Sequence, residues 1–158
     1  MIVPKYNVVI IGLSYFDGMA SATRVQNLFQ PLIIKDQVNV SNLIYDKDSD
    51  GLGKRGIINN VNYDVIGFRK SNPFTVLSFL SNGIKFLKKS KSLSEKNILY
   101  NYDQPNLKNI LFILYAKFIG YKIILDVIED YRYYTDYPRF LTAVKMKSSN
   151  FLCKHSHY

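Results

Sequence analysis

The fold of this chain is constrained most by short, continuous apolar runs that alternate with stretches of helical periodicity. Val8–Ile11 is one such run, and Ile123–Leu125 lies at the centre of another. Strands that are apolar on both faces are typical of a parallel sheet covered on both sides. A sheet with one solvent-exposed face has strands in which apolar and polar residues alternate. Between them, Met19–Gln30 repeats apolar residues at helical spacing.

The alternation continues along the chain and predicts the order β-α-β-β-α-β-α-β-α. The predicted strands are Lys5–Gly12, Val38–Tyr45, Val61–Phe68, Asn97–Asn101 and Tyr121–Val127; the predicted helices are Met19–Gln30, Phe74–Lys89, Leu107–Phe118 and one from about Arg139. We expect Asp17 or Ser21 to cap the first helix, Pro31 to end or kink it, and Asp46–Gly56 to form a polar loop. The sequence thus predicts an α/β fold, a Rossmann-like doubly wound parallel sheet with helices on both faces.

Length and composition favour one folded domain. The chain has 158 residues, of which 47% are hydrophobic and 21% are charged, so a disordered chain is excluded. A single cysteine, Cys153, cannot form an internal disulfide. The longest apolar stretch, Ile110–Val127, is interrupted by Lys117, Gly120 and Lys122, and the N-terminus has no signal-peptide pattern. We therefore expect a soluble, cytoplasmic protein.

The formal net charge of +9 favours anionic partners such as phosphorylated ligands, an acidic membrane surface or nucleic acid. The lysine-rich stretch Lys85–Lys91 has the character of a solvated helix end. No helix-turn-helix, zinc-finger or RNA-binding pattern accompanies it, so specific nucleic-acid recognition is not predicted. Charge-driven binding to arbitrary nucleic acid stays an alternative.

Three motif-like patterns are rejected on their context. Asp46–Gly51 copies the start of an EF-hand loop, but the twelfth position, which requires Glu, is Ile57. Gly51–Gly56 fits the dinucleotide pattern G-x-G-x-x-G, yet an acidic loop precedes it and a strand-like stretch follows it. Cys153–His157 has three alternating donor residues near the chain end, which is a weak metal pattern. We therefore expect no metal ion.

Three segments that follow predicted strands are the candidates for a functional site. They are Ser14–Arg24, Asn101–Pro105 and Asp126–Tyr134. In doubly wound sheets ligands bind beyond the carboxyl ends of the strands, so we expect these segments to converge on one crevice. Gly18 allows close backbone approach, and the helix start after it offers free N–H groups to an anion.

Two stretches of the chain resemble a known family. Asn7–Leu32, with its core Asp17–Val25, resembles the opening of retaining GT-B glycosyltransferases of family 4, in which a glycine-rich turn follows the first strand. Asn97–Tyr131 is similar to the later part of the same domain, where Gly120–Asp126 leads into an acidic loop.

The resemblance implies an N-terminal domain that receives the acceptor, while a second Rossmann-like domain holds the nucleotide-sugar donor. A sugar passes from the nucleotide diphosphate to a glycan or glycolipid hydroxyl, without a cofactor or metal. It implies donor-phosphate-facing residues at Asp17, Gly18, Met19 and Arg24, and acceptor-side residues at Tyr102, Asp103, Glu129 and Asp130.

The sequence departs from the family pattern in two places. The histidine that many members carry after the fifth strand is Ile128 here, so no catalytic residue is assigned. The paired-glutamate donor motif is absent, since the only glutamates are Glu95 and Glu129. We therefore expect residues 1–158 to be a single N-terminal domain, truncated before its last strand and the C-terminal donor domain, inactive alone and peripheral at the inner membrane face. The alternative is a stand-alone Rossmann-like module that binds a nucleotide or a protein.

Overall fold

The computed structural model describes residues 6–16, 18–46, 52–67, 73–93, 96–102 and 107–126. The elements in this part of the chain are β1 (Tyr6–Ile11), α1 (Ala20–Ile34), β2 (Val38–Asp46), β3 (Leu52–Ile58), β4 (Val61–Gly67), α2 (Pro73–Ser90), β5 (Lys96–Tyr102), α3 (Leu107–Phe118) and β6 (Lys122–Asp126). The helix predicted from Arg139 lies outside the described residues.

The strands form one mostly parallel sheet in the order β3-β4-β2-β1-β5-β6. β1 pairs in parallel with β2 and β5, β2 with β4, and β5 with β6, whereas β3 is antiparallel to β4. The five parallel strands therefore follow the spatial order third, second, first, fourth, fifth, which is the Rossmann order. The predicted α/β class is confirmed.

Alternate residues of β1 enter two separate cores. Val8 and Ile10 pack with Val25 and Phe29 of α1 on one face of the sheet. Val9 and Ile11 pack on the other face with α2 and α3, through side chains that include Phe86, Leu87 and Phe112. The apolar run is continuous because a strand covered on both faces has no solvent-facing position.

The predicted polar loop over Asp46–Gly56 is wrong in part, because residues 52–58 form the edge strand β3. Asn59 and Asn60 join it to β4, with φ angles of 49° and 62°. Two consecutive left-handed residues are the geometry of a tight hairpin turn, and asparagine tolerates it well. Since residues 52–56 lie in a strand that leads to another strand, the rejection of the dinucleotide pattern is confirmed.

The first helix runs further than expected. Pro31 lies inside α1, which continues to Ile34. Burial of Ile33 in the core offsets the hydrogen bond that proline cannot donate. The N-cap residue is Met19, which makes no side-chain capping hydrogen bond, so the predicted Ser21 cap is wrong.

The helical spacing of apolar residues in α2 does not coincide with its buried face. Phe74 and Leu77 are part of this spacing, but both are exposed. Phe79, Phe86 and Leu87 are buried instead. Apolar residues cover more than half of the circumference of α2 in this region. The spacing of apolar residues was therefore compatible with two different buried faces.

Helices α2 and α3 approach closely at Gly83. A Cβ atom at this position would lie 2.3 Å from the ring of Phe112, which is fully buried. That ring also packs against Phe79, with centroids 5.4 Å apart. Glycine is required here because any side chain would displace the central aromatic ring of this core.

We expect Gly83→Ala to lower the free energy of unfolding by about 1–3 kcal/mol, the usual cost of overpacking a core. The effect opposes helix propensity, since alanine at an uncrowded position would stabilise α2 by about 1 kcal/mol. Urea unfolding followed by circular dichroism measures the difference. The control is Ser81→Ala on the exposed side of α2, which should not be destabilising; equal losses in both variants would contradict the close contact.

Candidate functional site

The described residues form a cleft at the carboxyl edge of the sheet, where the chain leaves β1 and β5 towards opposite faces. This is the topological switch point, the usual ligand position in doubly wound folds. The cleft has a volume of about 330 Å³. It is lined by the turn after β1, the first turn of α1 and the ends of β2 and β5: Gly12, Leu13, Ser14, Ser21, Ile44, Tyr45 and Tyr102.

Gly12 allows the turn after β1 to pass against the end of β5. Its φ angle is 93°, and a Cβ atom would lie 2.6 Å from the backbone oxygen of Tyr102. No other residue fits both the angle and the space. The cleft wall is therefore a close contact between two stretches of backbone.

Asn42, which is fully buried in β2, fixes the same turn from the opposite side. Its side-chain oxygen accepts a hydrogen bond from the backbone N–H of Tyr15 at 2.8 Å. Its Nδ2 donates to the carbonyls of Leu13 and Ile10 at 3.1 and 3.2 Å. One amide side chain thus forms hydrogen bonds with three backbone groups, at the end of β1 and in the turn that follows it.

Tyr15 then ties the turn to α1. The side chain is buried, its hydroxyl donates to Gln30 Oε1 at 3.2 Å, and its backbone oxygen accepts a hydrogen bond from the amide of Gln26. The turn consequently sets the position of the helix start. The first turn of a helix carries N–H groups that make no helical hydrogen bond, and Ser21 of this turn lines the cleft.

The β5 wall is held by two buried asparagines. Asn109 Nδ2 in α3 donates to Asn101 Oδ1 at 2.8 Å, and both residues are almost fully buried. Asn101 directly precedes Tyr102, which faces the cleft. Both walls therefore depend on buried amide groups, so the cleft is preformed rather than shaped by a ligand.

Arg24, Asp126 and Tyr100 form a polar cluster next to the cleft. The Arg24 guanidinium lies 2.9 Å from Asp126 Oδ1, and the Tyr100 hydroxyl donates to the other carboxylate oxygen. Burial, and then the hydrogen bond to Asp126, raise the pKa of Tyr100 well above its ordinary value. The cluster joins α1 to β5 and β6, and the charge of Arg24 is paired within the domain.

The structure describes four of the eight predicted site residues. Tyr102 lines the cleft, whereas Gly18, which is exposed with a φ angle of 72°, and Met19, the N-cap of α1, are not among its lining residues. Arg24 contacts Asp126 and is not among the residues that line the cleft. The other predicted residues, Asp17, Asp103, Glu129 and Asp130, lie outside the described part of the chain. The described portions of the three predicted segments do come together at this edge.

Three residues that shape the cleft were missed by sequence reasoning: Gly12, Asn42 and Tyr45. Gly12 had a signal, since it directly follows the apolar run of β1. Asn42 lies two residues after Val40, where the alternation that begins Val38-Asn39-Val40-Ser41 predicts an apolar residue. A polar residue at such a position indicates a buried hydrogen-bonding role.

Tyr45 is the unusual member of the cleft lining. Its hydroxyl is buried and has no hydrogen-bond partner within the described residues. Its ring packs against Phe79 and Phe112, with centroids 5.3 and 6.2 Å away. Burial raises the pKa of this phenol, which therefore stays neutral. A buried hydroxyl without a hydrogen-bond partner lowers the free energy of unfolding by about 1–3 kcal/mol.

The described residues contain no group of three or more His, Cys, Asp or Glu side chains placed to hold a metal ion. The cysteine and histidines of Cys153–His157 lie outside these residues, as do positions 47–51 of the EF-hand-like pattern. Within the same ranges, none of the helices has the length and apolar character needed to cross a bilayer.

A second cleft, of about 340 Å³, lies between the end of α2 and the β3–β4 hairpin. Asp64, a buried residue of its lining, lies 3.6 Å from Arg55.

Comparison with known proteins adds no further assignment. The chain matches no protein-family model, no curated protein sequence and no solved structure. The functional argument therefore depends on the fold and on the geometry of the cleft.

We expect Gly12→Ala to destabilise the protein by about 3 kcal/mol or more, because the left-handed backbone and the clash with Tyr102 act together. Gly18→Ala is the matched control: its φ angle is also positive, but a Cβ atom there meets nothing within 4 Å. That variant should lose only about 1 kcal/mol, the cost of the backbone angle. Denaturant unfolding of both variants provides the test, and similar losses would refute the tight contact of Gly12 with β5.

We expect the folded state to lose stability as the pH rises above about 10, the ordinary pKa of tyrosine. Burial raises the pKa of Tyr15, Tyr45, Tyr100 and Tyr121. A raised folded-state pKa contributes stability that is complete below the unfolded-state pKa and is lost as the pH rises towards the folded-state value.

Tyr100→Phe should make this loss shallower, because one of the four phenols is removed. Thermal unfolding between about pH 8 and 11 measures the slope. Tyr6→Phe serves as the control, since Tyr6 is partly exposed at the start of β1. An identical slope in the wild type and in Tyr100→Phe would contradict the prediction.

Proposed function

We propose that this chain is the acceptor-side domain of a GT-B glycosyltransferase, in which a sugar passes from a nucleotide-sugar donor to a glycan or glycolipid hydroxyl. The supporting observation is the cleft at the topological switch point, where the turn after β1, the first turn of α1 and the end of β5 meet. The family 4 resemblance of Asn7–Leu32 and Asn97–Tyr131 gives that cleft its chemical interpretation.

The donor diphosphate would face the start of α1. Free N–H groups and the positive end of the helix dipole attract phosphate oxygens, and Ser21 adds a hydroxyl at the same place. Gly12 and Gly18 keep the approach free of side chains. Charge that develops on the leaving diphosphate would be stabilised by these fixed dipoles, which need no reorganisation during transfer.

Arg24 has a different role in this proposal from the one that the sequence suggests. Its guanidinium is paired with Asp126 at 2.9 Å, so its charge is already compensated. We therefore assign the phosphate contact to the backbone of the α1 start and to Ser21. The ion pair between Arg24 and Asp126 instead joins α1 to β6.

The acceptor would lie against Tyr102 and the end of β2. Tyr45, at this end of β2, is also part of the cleft lining. The remaining wall of the cleft, with the groups that bind the nucleotide, belongs in this proposal to a separate donor domain. Transfer by this chain alone is accordingly not expected.

The proposal is tested by Ser21→Glu. A carboxylate in the first turn of α1 stabilises the helix by about 0.3–1 kcal/mol, so the fold is retained. The same carboxylate repels a diphosphate, and we expect the binding of inorganic pyrophosphate, which stands for the part of the donor that faces this chain, to weaken at least tenfold in an NMR titration. Ser81→Glu, which places the same charge on the exposed side of α2, should leave binding unchanged.

Transfer to glycan acceptors is then assayed with the chain alone and together with a donor domain of the same enzyme class. Product formation that needs the second domain and is lost in Ser21→Glu supports the proposal. Tight nucleotide binding without transfer under any condition would replace it with the binding-module alternative. Equal binding by wild type and Ser21→Glu would contradict a phosphate site at the start of α1.

A further inference from the structure

The amino edge of the sheet, opposite the cleft, presents large apolar side chains to solvent where the three helices end. Ile34 is the last residue of α1, Phe118 is the last residue of α3, and Leu93 follows α2. Their exposed fractions are 73%, 86% and 100%, respectively. These side chains lie at one edge because each helix runs back antiparallel to the strand that precedes it.

Exposed lysines surround these apolar side chains. They lie at the ends of the helices, in the loops that follow and at the starts of β5 and β6: Lys35, Lys88, Lys89, Lys91, Lys96, Lys117 and Lys122. Asp36 is the one acidic residue of this edge within the described residues. The loops after α2 and α3 lie next to each other, since Lys91 Nζ lies 3.8 Å from the position that a Cβ atom of Gly120 would occupy. The end of α1 lies at the same edge of the sheet, on its other face.

We propose that this edge, termed the basic edge and defined by Ile34, Leu93, Phe118 and the seven lysines, docks on an anionic lipid bilayer. Lysines near a negatively charged leaflet are attracted to it, and apolar side chains at the tips of loops enter the boundary between headgroups and acyl chains. Both features are present on the same surface. This inference does not depend on the proposed function.

The apolar residues favour a membrane over nucleic acid as the partner. A surface that binds a phosphate backbone needs cations and polar groups, and stacking on bases needs aromatic rings within a groove. Leu93 and Ile34 are neither charged nor polar, and they have no aromatic ring. A fully exposed leucine between lysines is instead the arrangement that combines hydrophobic insertion with electrostatic attraction.

The first test is co-sedimentation with vesicles of phosphatidylcholine alone, or of equal parts phosphatidylcholine and phosphatidylglycerol. We expect binding to the anionic vesicles that weakens as salt rises. Lys122→Gln should weaken partitioning about fivefold, whereas Lys54→Gln, on the exposed strand β3, should not change it.

The apolar contribution is tested with Leu93→Ser and Phe118→Ser, each of which should weaken partitioning about tenfold. The matched controls are Phe74→Ser and Leu77→Ser, which alter exposed apolar residues at the other end of α2. Because all four side chains are exposed, the variants should fold, and their thermal unfolding verifies this.

Insertion can be observed directly, because the chain contains no tryptophan. Leu93→Trp should give a blue-shifted emission with anionic vesicles and should be quenched by lipids brominated on the acyl chain. Phe74→Trp should show neither effect. No binding to anionic vesicles at low salt overturns the proposal. Unchanged binding in the serine variants, or duplex DNA binding without vesicle binding, also overturns it.

Discussion

The structure depends on the burial of β1 between two helical layers. Val8 and Ile10 belong to the core beneath α1, and Val9 and Ile11 belong to the core beneath α2 and α3. β1 pairs on one side with β2 and on the other with β5, so it also joins the two halves of the sheet. A polar residue within this run would leave an unsatisfied group in one core, and both halves would lose their common strand.

The position of β1 determines where a ligand can bind. The chain leaves β1 and β5 towards opposite faces, and the resulting gap at the carboxyl edge cannot be closed by sheet hydrogen bonds. Backbone groups at this gap need other partners. Asn42 supplies them for the turn after β1, and Asn101 with Asn109 supports the β5 wall. The same amides that satisfy the buried backbone therefore keep the cleft open and rigid.

Much of the fold follows from local sequence patterns. The runs at Val8–Ile11 and Ile123–Leu125 predicted buried parallel strands. Both lie in parallel strands, but only the first is buried: β6 is the last strand in the described sheet, and its central residue Ile124 is 45% exposed. The edge strand β3 was missed because its glycines and charges look like a loop, although Asn59 and Asn60 carry the signal of a hairpin turn. Pro31 does not end α1, because the core contact of Ile33 overrides a local preference.

The site was less predictable because its contacts join distant parts of the chain. Asn42 bonds to Tyr15 across 27 residues, and Arg24 pairs with Asp126 across 102. No periodicity or spacing rule connects such pairs. The sequence indicated that the strand ends would converge, since parallel topology requires it, but it did not indicate that Asp126 would neutralise Arg24.

The cleft and the basic edge lie at opposite ends of the sheet, and this separation constrains the substrate. β1 has six residues, so the two edges are about 20 Å apart at about 3.3 Å per residue. A domain that docks through the basic edge would hold its cleft above the bilayer and directed away from it. An acceptor headgroup at the lipid surface could not reach such a cleft, whereas a soluble glycan or the distal end of a long lipid-linked glycan could. Together, the two proposals therefore favour an extended acceptor.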